Sequence, residues 1–211
     1  MAQDDKAATG PQIYLITPAL FEPDDFLPKM QAVLDIAPVA CVRLAMARAG
    51  EDRVIRAADA LREMLHAREV ALVIEAHVEL ADRLGLDGAH LPRGTGSIRK
   101  LRSERGPEFI IGADCGASRH DGMTAAEAGA DYVAFSPAGE SALGTGARAE
   151  AALFAWWSEM IEVPVVAEGA LSPALVADLA PVADFIAFGD EVWDAADPLA
   201  AFRALVAPLG H

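Results

Sequence analysis

The chain has 211 residues, 53% of them hydrophobic and only 6% aromatic, so its core is built mainly from Ala, Val, Leu and Ile, enough for one closely packed domain. Acidic residues outnumber basic ones, 32 against 17, and a net charge of −15 disfavours nucleic acid and anionic membrane as partners while leaving a small-molecule ligand open. No apolar run reaches the length of a membrane span.

In chain order, MAQDDKAATGPQ lacks the basic-then-apolar pattern of a signal peptide, so residues 1–11 read as a short disordered tail before a domain spanning 12–211. IYLIT (13–17) predicts a strand, and DFLPKMQAVLDIA carries a helical pattern with Pro28 early, where proline is tolerated. VACVRLA (39–45) is the second predicted strand. It is followed by a long amphipathic helix over 51–68, with Val54, Ile55, Ala58, Leu61 and Leu65 on one side. Further strands are predicted at 70–75, 86–91, 108–114, 132–136, 163–168 and 185–189, each separated by helical patterns. Short, continuously apolar strands of this kind suit a parallel sheet buried on both faces. Residues 137–146, PAGESALGTG, read as a mobile loop after the sixth strand.

Three copies of a helix, a turn and an Asp-led strand reinforce this reading: LADRLGLDGAHL, TAAEAGADYVAF and VADLAPVADFIAF, with aspartates Asp87, Asp131 and Asp184. Their spacing fits two strand-plus-helix units per repeat and predicts an α/β fold, a single (β/α)₈ TIM barrel. An active site then belongs at the opposite, C-terminal ends of the strands. Cys41 and Cys115 lack the spacing of a metal knuckle or a disulfide framework, and a reducing cytoplasm is the simpler compartment.

Tyr14-Leu15-Ile16-Thr17, HVELADRLGLDGAHL, IIGAD, AGADYVAFSP and PVVAEGAL follow one another in the order and spacing of the thiamine phosphate synthase and thiazole tautomerase superfamily, which the chain resembles over nearly its whole length. The resemblance implies a (β/α)₈ barrel, transferase chemistry joining a hydroxymethylpyrimidine diphosphate to a thiazole phosphate, aspartate-held magnesium and a homodimer. Hard oxygen ligands and positive charge are what a departing pyrophosphate requires.

The motif positions depart from that pattern. Gln-x-Arg-x-Lys after the second strand reads Cys41, Arg43 and Ala45, so only the arginine remains. Asn-Asp after the third is Glu75-Ala76, and Gly-Gln-x-Asp after the fourth is Pro92-Arg93-Gly94-Thr95, so neither metal aspartate is in place. Asp114 stands where the family has serine. The loop after Ser136 has Ser141 and Thr145 but no lysine. The phosphate-cradling turns read Glu168-Gly169-Ala170 and Gly189-Asp190-Glu191, where carboxylates would repel a phosphate.

Glu75, Asp114, Glu168 and Asp190 thus follow strands three, five, seven and eight, predicting an acidic mouth with Arg43 and Arg93 as its positive groups. Such a mouth favours a cation, an amine-bearing small molecule or a metal; each acid alone could instead cap a helix or pair with an arginine. The candidate substrate-binding set is Arg43, Glu75, His90, Arg93, Asp114, Ser136, Glu168, Gly169, Gly189 and Asp190, with no catalytic residue and no metal ligand assigned. His90, within an apolar strand, reads as a hydrogen-bonded core residue or a base. His77 reads as a helix cap or a substrate contact. His120 is displaced from the tautomerase position, and Cys115 reads as an inert thiol. Lys6, Lys29 and Lys100 fall in the tail and helices, away from any Schiff-base position. Trp156 and Trp157 read as packing or subunit contact. Two readings stay open: an enzyme of this superfamily, with the same or different chemistry at the mouth, and a non-catalytic or repurposed barrel that binds a small molecule or a partner.

Overall fold

Eight parallel strands close in chain order into a barrel in a computed structural model that describes residues 10–94, 97–140 and 147–211. The strands are Gln12–Ile16 (β1), Val39–Leu44 (β2), Ala71–Glu75 (β3), Gly88–Leu91 (β4), Ile110–Asp114 (β5), Tyr132–Phe135 (β6), Val165–Glu168 (β7) and Phe185–Phe188 (β8). Between them run Pro23–Leu34 (α1), Glu51–His66 (α2), Val78–Leu84 (α3), Ile98–Arg105 (α4), Arg119–Ala128 (α5), Ala151–Met160 (α6) and Pro173–Leu179 (α7). A short helix Asp190–Trp193 (α8) and the closing helix Pro198–Val206 (α9) complete the α-helices among the described residues. The expected TIM barrel is therefore present. No helix among the described residues is long and apolar enough to cross a membrane.

Alternation along each strand divides the apolar residues into two cores. Outward-facing Ile13, Leu15, Val42, Leu44, Leu72, Ile74, Ile111 and Val133 pack with Met30, Val54, Leu61, Phe154, Trp157 and Phe202 of the surrounding helices. Inward-facing Tyr14, Val73, Tyr132, Ala134, Val166 and Ala187 form a smaller cluster inside the barrel. Both faces exclude water, which is why the strands read as continuous apolar runs.

The three repeated aspartates share one task at the N-terminal face. Asp87 Oδ2 accepts from Leu72 N at 2.7 Å, Asp131 Oδ2 from Ile111 N at 2.6 Å and Asp184 Oδ2 from Val165 N at 2.8 Å. Each aspartate also donates its own backbone N–H to the carbonyl of the same residue, at 3.0, 2.8 and 3.0 Å. An even-numbered strand is thereby clasped to the strand before it, satisfying backbone groups that the ladder leaves open. The motif repeats every two strands because the clasp joins a pair.

Several boundaries differ from expectation for local reasons. Helix α1 starts at Pro23, so Pro28 lies inside it, not at its first turn; its exposed ring replaces an N–H whose partner would have been near the helix start. Helix α2 ends at His66 because Arg68 and Val70 both turn their N–H groups onto Leu65 O, with Glu69 between them in the left-handed region at φ 57°. Of the loop expected at 137–146, the described start is pinned: Ala138 N donates to Glu168 O at 2.9 Å and Gly139 N to Gly169 O at 3.0 Å. Residues 1–9, Thr95, Ser141 and Thr145 lie outside the described residues, and with them most of the tail and loop expectations.

Candidate functional site at the C-terminal mouth

A TIM barrel's interior is ordinarily filled with branched apolar side chains. Here β1, β4 and β6 send polar groups inward. Tyr14 Oη and Tyr132 Oη are hydrogen-bonded at 2.8 Å, and Tyr132 Oη meets His90 Nδ1 at 3.0 Å. The Tyr132 ring can cross the barrel only because its neighbour on β5 is Gly112, where a Cβ would lie 2.1 Å from the tyrosine's Cζ. Burial holds both tyrosine hydroxyls well above their ordinary value, so they stay protonated. Burial, reinforced by the positive charge of Arg43, holds His90 well below its ordinary value and keeps the imidazole neutral.

Arg43, inward-facing on β2, lies over the Tyr14 ring with its guanidinium carbon 5.9 Å from the centroid. Its Nη2 is 3.0 Å from Glu168 Oε2 at the end of β7. Only 6% of Arg43 and 8% of Glu168 is exposed, so this is a buried ion pair. Among the described residues Arg43 Nε and Nη1 have no hydrogen-bond partner, and Glu168 Oε2 has only this ionic contact. Burial pushes the Glu168 carboxyl up and Arg43 pulls it back, while Asp114 and Glu75 add repulsion. Burial works against the guanidinium's charge, yet the group stays protonated because attraction to Glu168, with Glu75 adding to it, outweighs that desolvation.

Glu75 and Asp114, half-buried at the ends of β3 and β5, are thus close enough to the pair to act on its charge. Glu75 sits beside His90 in the β3–β4 register. Asp114 Oδ1 accepts from Gly116 N at 2.8 Å and from Ser136 Oγ at 3.4 Å, which ties the turn after β5 to the end of β6. Arg93 is exposed in the turn after β4, its guanidinium against Gly116. A cleft of about 580 Å³ opens there, with Arg93, Asp114 and Cys115 among its walls. Asp190 stands apart, exposed at the start of α8, and its carboxyl is raised by desolvation and by Asp194 and Glu191.

It is Glu191, named in the sequence as part of this turn but not among the candidate ligand contacts, that turns back toward the barrel. Its Oε1 accepts from Leu171 N at 2.9 Å and its Oε2 from Gly189 N at 2.8 Å. Tyr14 and Tyr132 were likewise not singled out by sequence. Their signal was the period-two phase: Tyr14 shares a face with Ile16, and Tyr132 with Ala134.

The remaining candidates fall outside the mouth or serve structure. His77 is at the N-cap position of α3, and its Nε2 meets Ala47 O at 3.1 Å. His120 is exposed on α5, and Lys29 and Lys100 are exposed on α1 and α4. Burial and neighbouring carboxylates push the Cys115 thiol up to about 12, an unreactive value. Trp157 is fully buried and donates to Val163 O at 2.7 Å, while half-buried Trp156 stacks under Arg119 at 3.9 Å.

The magnesium implied by the family pattern does not fit these residues. Ala76 stands at one of its aspartate positions and Thr95, outside the described residues, at the other, and among the described residues no group of three or more His, Cys, Asp or Glu could hold a metal ion.

Comparison with known proteins places the whole barrel. A family model for thiamine monophosphate synthase matches residues 13–192. The thiamine-phosphate synthase of Rhodospirillum centenum is 40% identical over 190 residues, covering 88% of this chain and 91% of that one. The thiamine-phosphate synthase of Erythrobacter litoralis is 36% identical, covering 92% of each chain. Among solved structures, a thiamine phosphate pyrophosphorylase from Pyrococcus furiosus superposes with a TM-score of 0.77 at 22% identity, covering 94% of this chain and 95% of that one, a likeness of fold.

Proposed function

Because the chain belongs to the thiamine phosphate synthase family, we propose that its C-terminal mouth binds a small molecule of the kind that family handles, an amine-bearing heterocycle such as an aminopyrimidine, and that coupling of a pyrimidine diphosphate to a thiazole phosphate is not its main reaction. The observation that carries this reading is the buried Arg43–Glu168 pair, in which Arg43 Nε and Nη1 have no hydrogen-bond partner among the described residues and Glu168 Oε2 meets only Arg43 Nη2. Buried polar atoms of this kind are costly unless a ligand or water completes them. An aminopyrimidine offers a matching edge, with N–H donors for Glu168 and ring nitrogens as acceptors for Arg43.

Charge supports the same choice. Glu75 and Asp114 add repulsion to Glu168 beside one buried guanidinium, and a diphosphate would add further negative charge, with no metal-binding group among the described residues to offset it. The candidate ligand contacts on this reading are Arg43, Glu75, His90, Arg93, Asp114, Ser136 and Glu168, with Gly169, Gly189 and Asp190 at the rim. The free thiols Cys41 and Cys115 support a reducing, cytoplasmic setting, and the family resemblance supports a homodimer.

A second reading, ordinary synthase activity, is favoured by 40% identity to a curated synthase over 88% of the chain. A coupled assay with both thiamine precursors and magnesium separates the two. Slow or absent turnover, with calorimetric binding of an aminopyrimidine alcohol that Glu168→Gln abolishes, supports the first. Robust turnover sinks it.

A further inference from the structure

Barrels of this type commonly bind phosphate with the loops after strands seven and eight and a short extra helix, where backbone N–H groups point into the mouth. The equivalent parts are all here. The turn after β7 runs through Gly169 at φ 86° and Ala170 at φ 54°, and it presents the Leu171 N–H; β8 is followed directly by Gly189, which presents its own. Both N–H groups are taken by one carboxylate, that of Glu191, through its two oxygens at 2.9 and 2.8 Å. A carboxylate bridging two loops in this way makes the contacts that two oxygens of a phosphate would make.

We propose that Glu191 is a resident anion which fills the phosphate cradle of this mouth, and so sets its specificity against phosphorylated ligands and for ligands that lack a phosphate. A phosphate group approaching these N–H donors meets both an occupied site and a like charge. Asp190 adds to that charge from the neighbouring position. The alanine at position 170 is consistent with an internal occupant. In the left-handed region its Cβ is strained, and it stands where a second glycine would give a bulkier anion clear access.

The inference rests on the C-terminal mouth being the ligand site, and its test uses inorganic phosphate alone. Phosphate is titrated calorimetrically into wild-type protein, Glu191→Ala and Glu191→Gln, with far-UV circular dichroism and thermal unfolding confirming that each is folded. Removing one unit charge from contact distance under partial screening is expected to tighten phosphate binding on the order of a hundredfold. Phosphate should then raise the unfolding temperature of the variants and not of wild type. Glu191→Gln keeps an acceptor for one of the two N–H groups and is the arm to read if the alanine variant does not fold.

A folded variant with no gain overturns the proposal, as does wild type binding phosphate as tightly as the variants. Loss of folding in both variants also overturns it, since the carboxylate would then be a structural clasp. The amine-ligand reading fails separately, through an aminopyrimidine titration of wild type that gives no heat.

Discussion

Replacing Glu168 by Gln keeps the side chain's size and removes one charge from the buried pair with Arg43. The partner guanidinium, 6% exposed, then has no directly paired counter-charge, and two of its nitrogens already have no hydrogen-bond partner among the described residues. Removing one member of a buried pair costs about 3–5 kcal/mol, because the surviving charge stays desolvated. Glu75 remains near enough to the guanidinium to offset part of this, which places the expected loss at the lower end, about 3 kcal/mol. For a chain of this size that lowers the unfolding temperature by roughly 6–12 °C. Urea unfolding at pH 7 with an unchanged slope gives the free energy directly. The double variant Arg43→Met/Glu168→Leu, which removes both charges and fills the space, should return to within about 1 kcal/mol of wild type. If Glu168→Gln costs less than about 1 kcal/mol, or the double variant is less stable than either single one, the pair is not the desolvated interaction described here.

Two further perturbations address the barrel's interior and its base. His90 is held below its ordinary 6.5 in the folded state, so the stability it contributes is present above 6.5 and lost as pH falls from there toward the folded value. Glu168, held above its ordinary 4.5, acts in the opposite sense, its contribution being lost as pH rises from 4.5 toward its folded value. Wild-type stability in denaturant titrations should therefore decline below pH 6.5 by up to about 1.4 kcal/mol per pH unit from His90. His90→Asn should remove that decline, and a variant with the same pH profile as wild type would show that the imidazole is not the group responsible. Asp184→Ala leaves Val165 N without its acceptor and should cost about 1–3 kcal/mol, with Asp184→Asn recovering part of it; hydrogen exchange at Val165 reports the opening, and protection equal to wild type would refute the clasp.

Much of the fold was legible because its determinants are local. Short apolar strands separated by helical patterns say parallel sheet, and the Asp87, Asp131 and Asp184 spacing says that the unit is a pair of strands. The aspartates are readable since each clasp uses a residue at a fixed position before its strand. Of the mouth, Arg43, Glu168 and His90 were legible as polar residues in apolar runs, where any polar side chain asks for a partner. Their partners were not legible. Tyr14 and Tyr132 look like ordinary strand aromatics, and their hydroxyls meet across 118 positions of sequence. Asp190 and Glu191 are adjacent and chemically alike, so composition could not say which turns inward; the start of α8 leaves the first in solvent and returns the second to the cradle.

By itself the sequence determined the barrel and its polarity, because hydrophobic period and repeat spacing are properties of the chain taken in order, and its motifs carried the family resemblance. Tertiary structure decided which charges face one another. Closure of β1 against β8 brings residues from distant strands around one axis. There Arg43 from β2 meets Glu168 from β7, and a carboxylate from α8 reaches backbone donors after both β7 and β8. Charge pairing depends on distances in space of a few ångströms, which spacing along the chain does not encode until the barrel has closed.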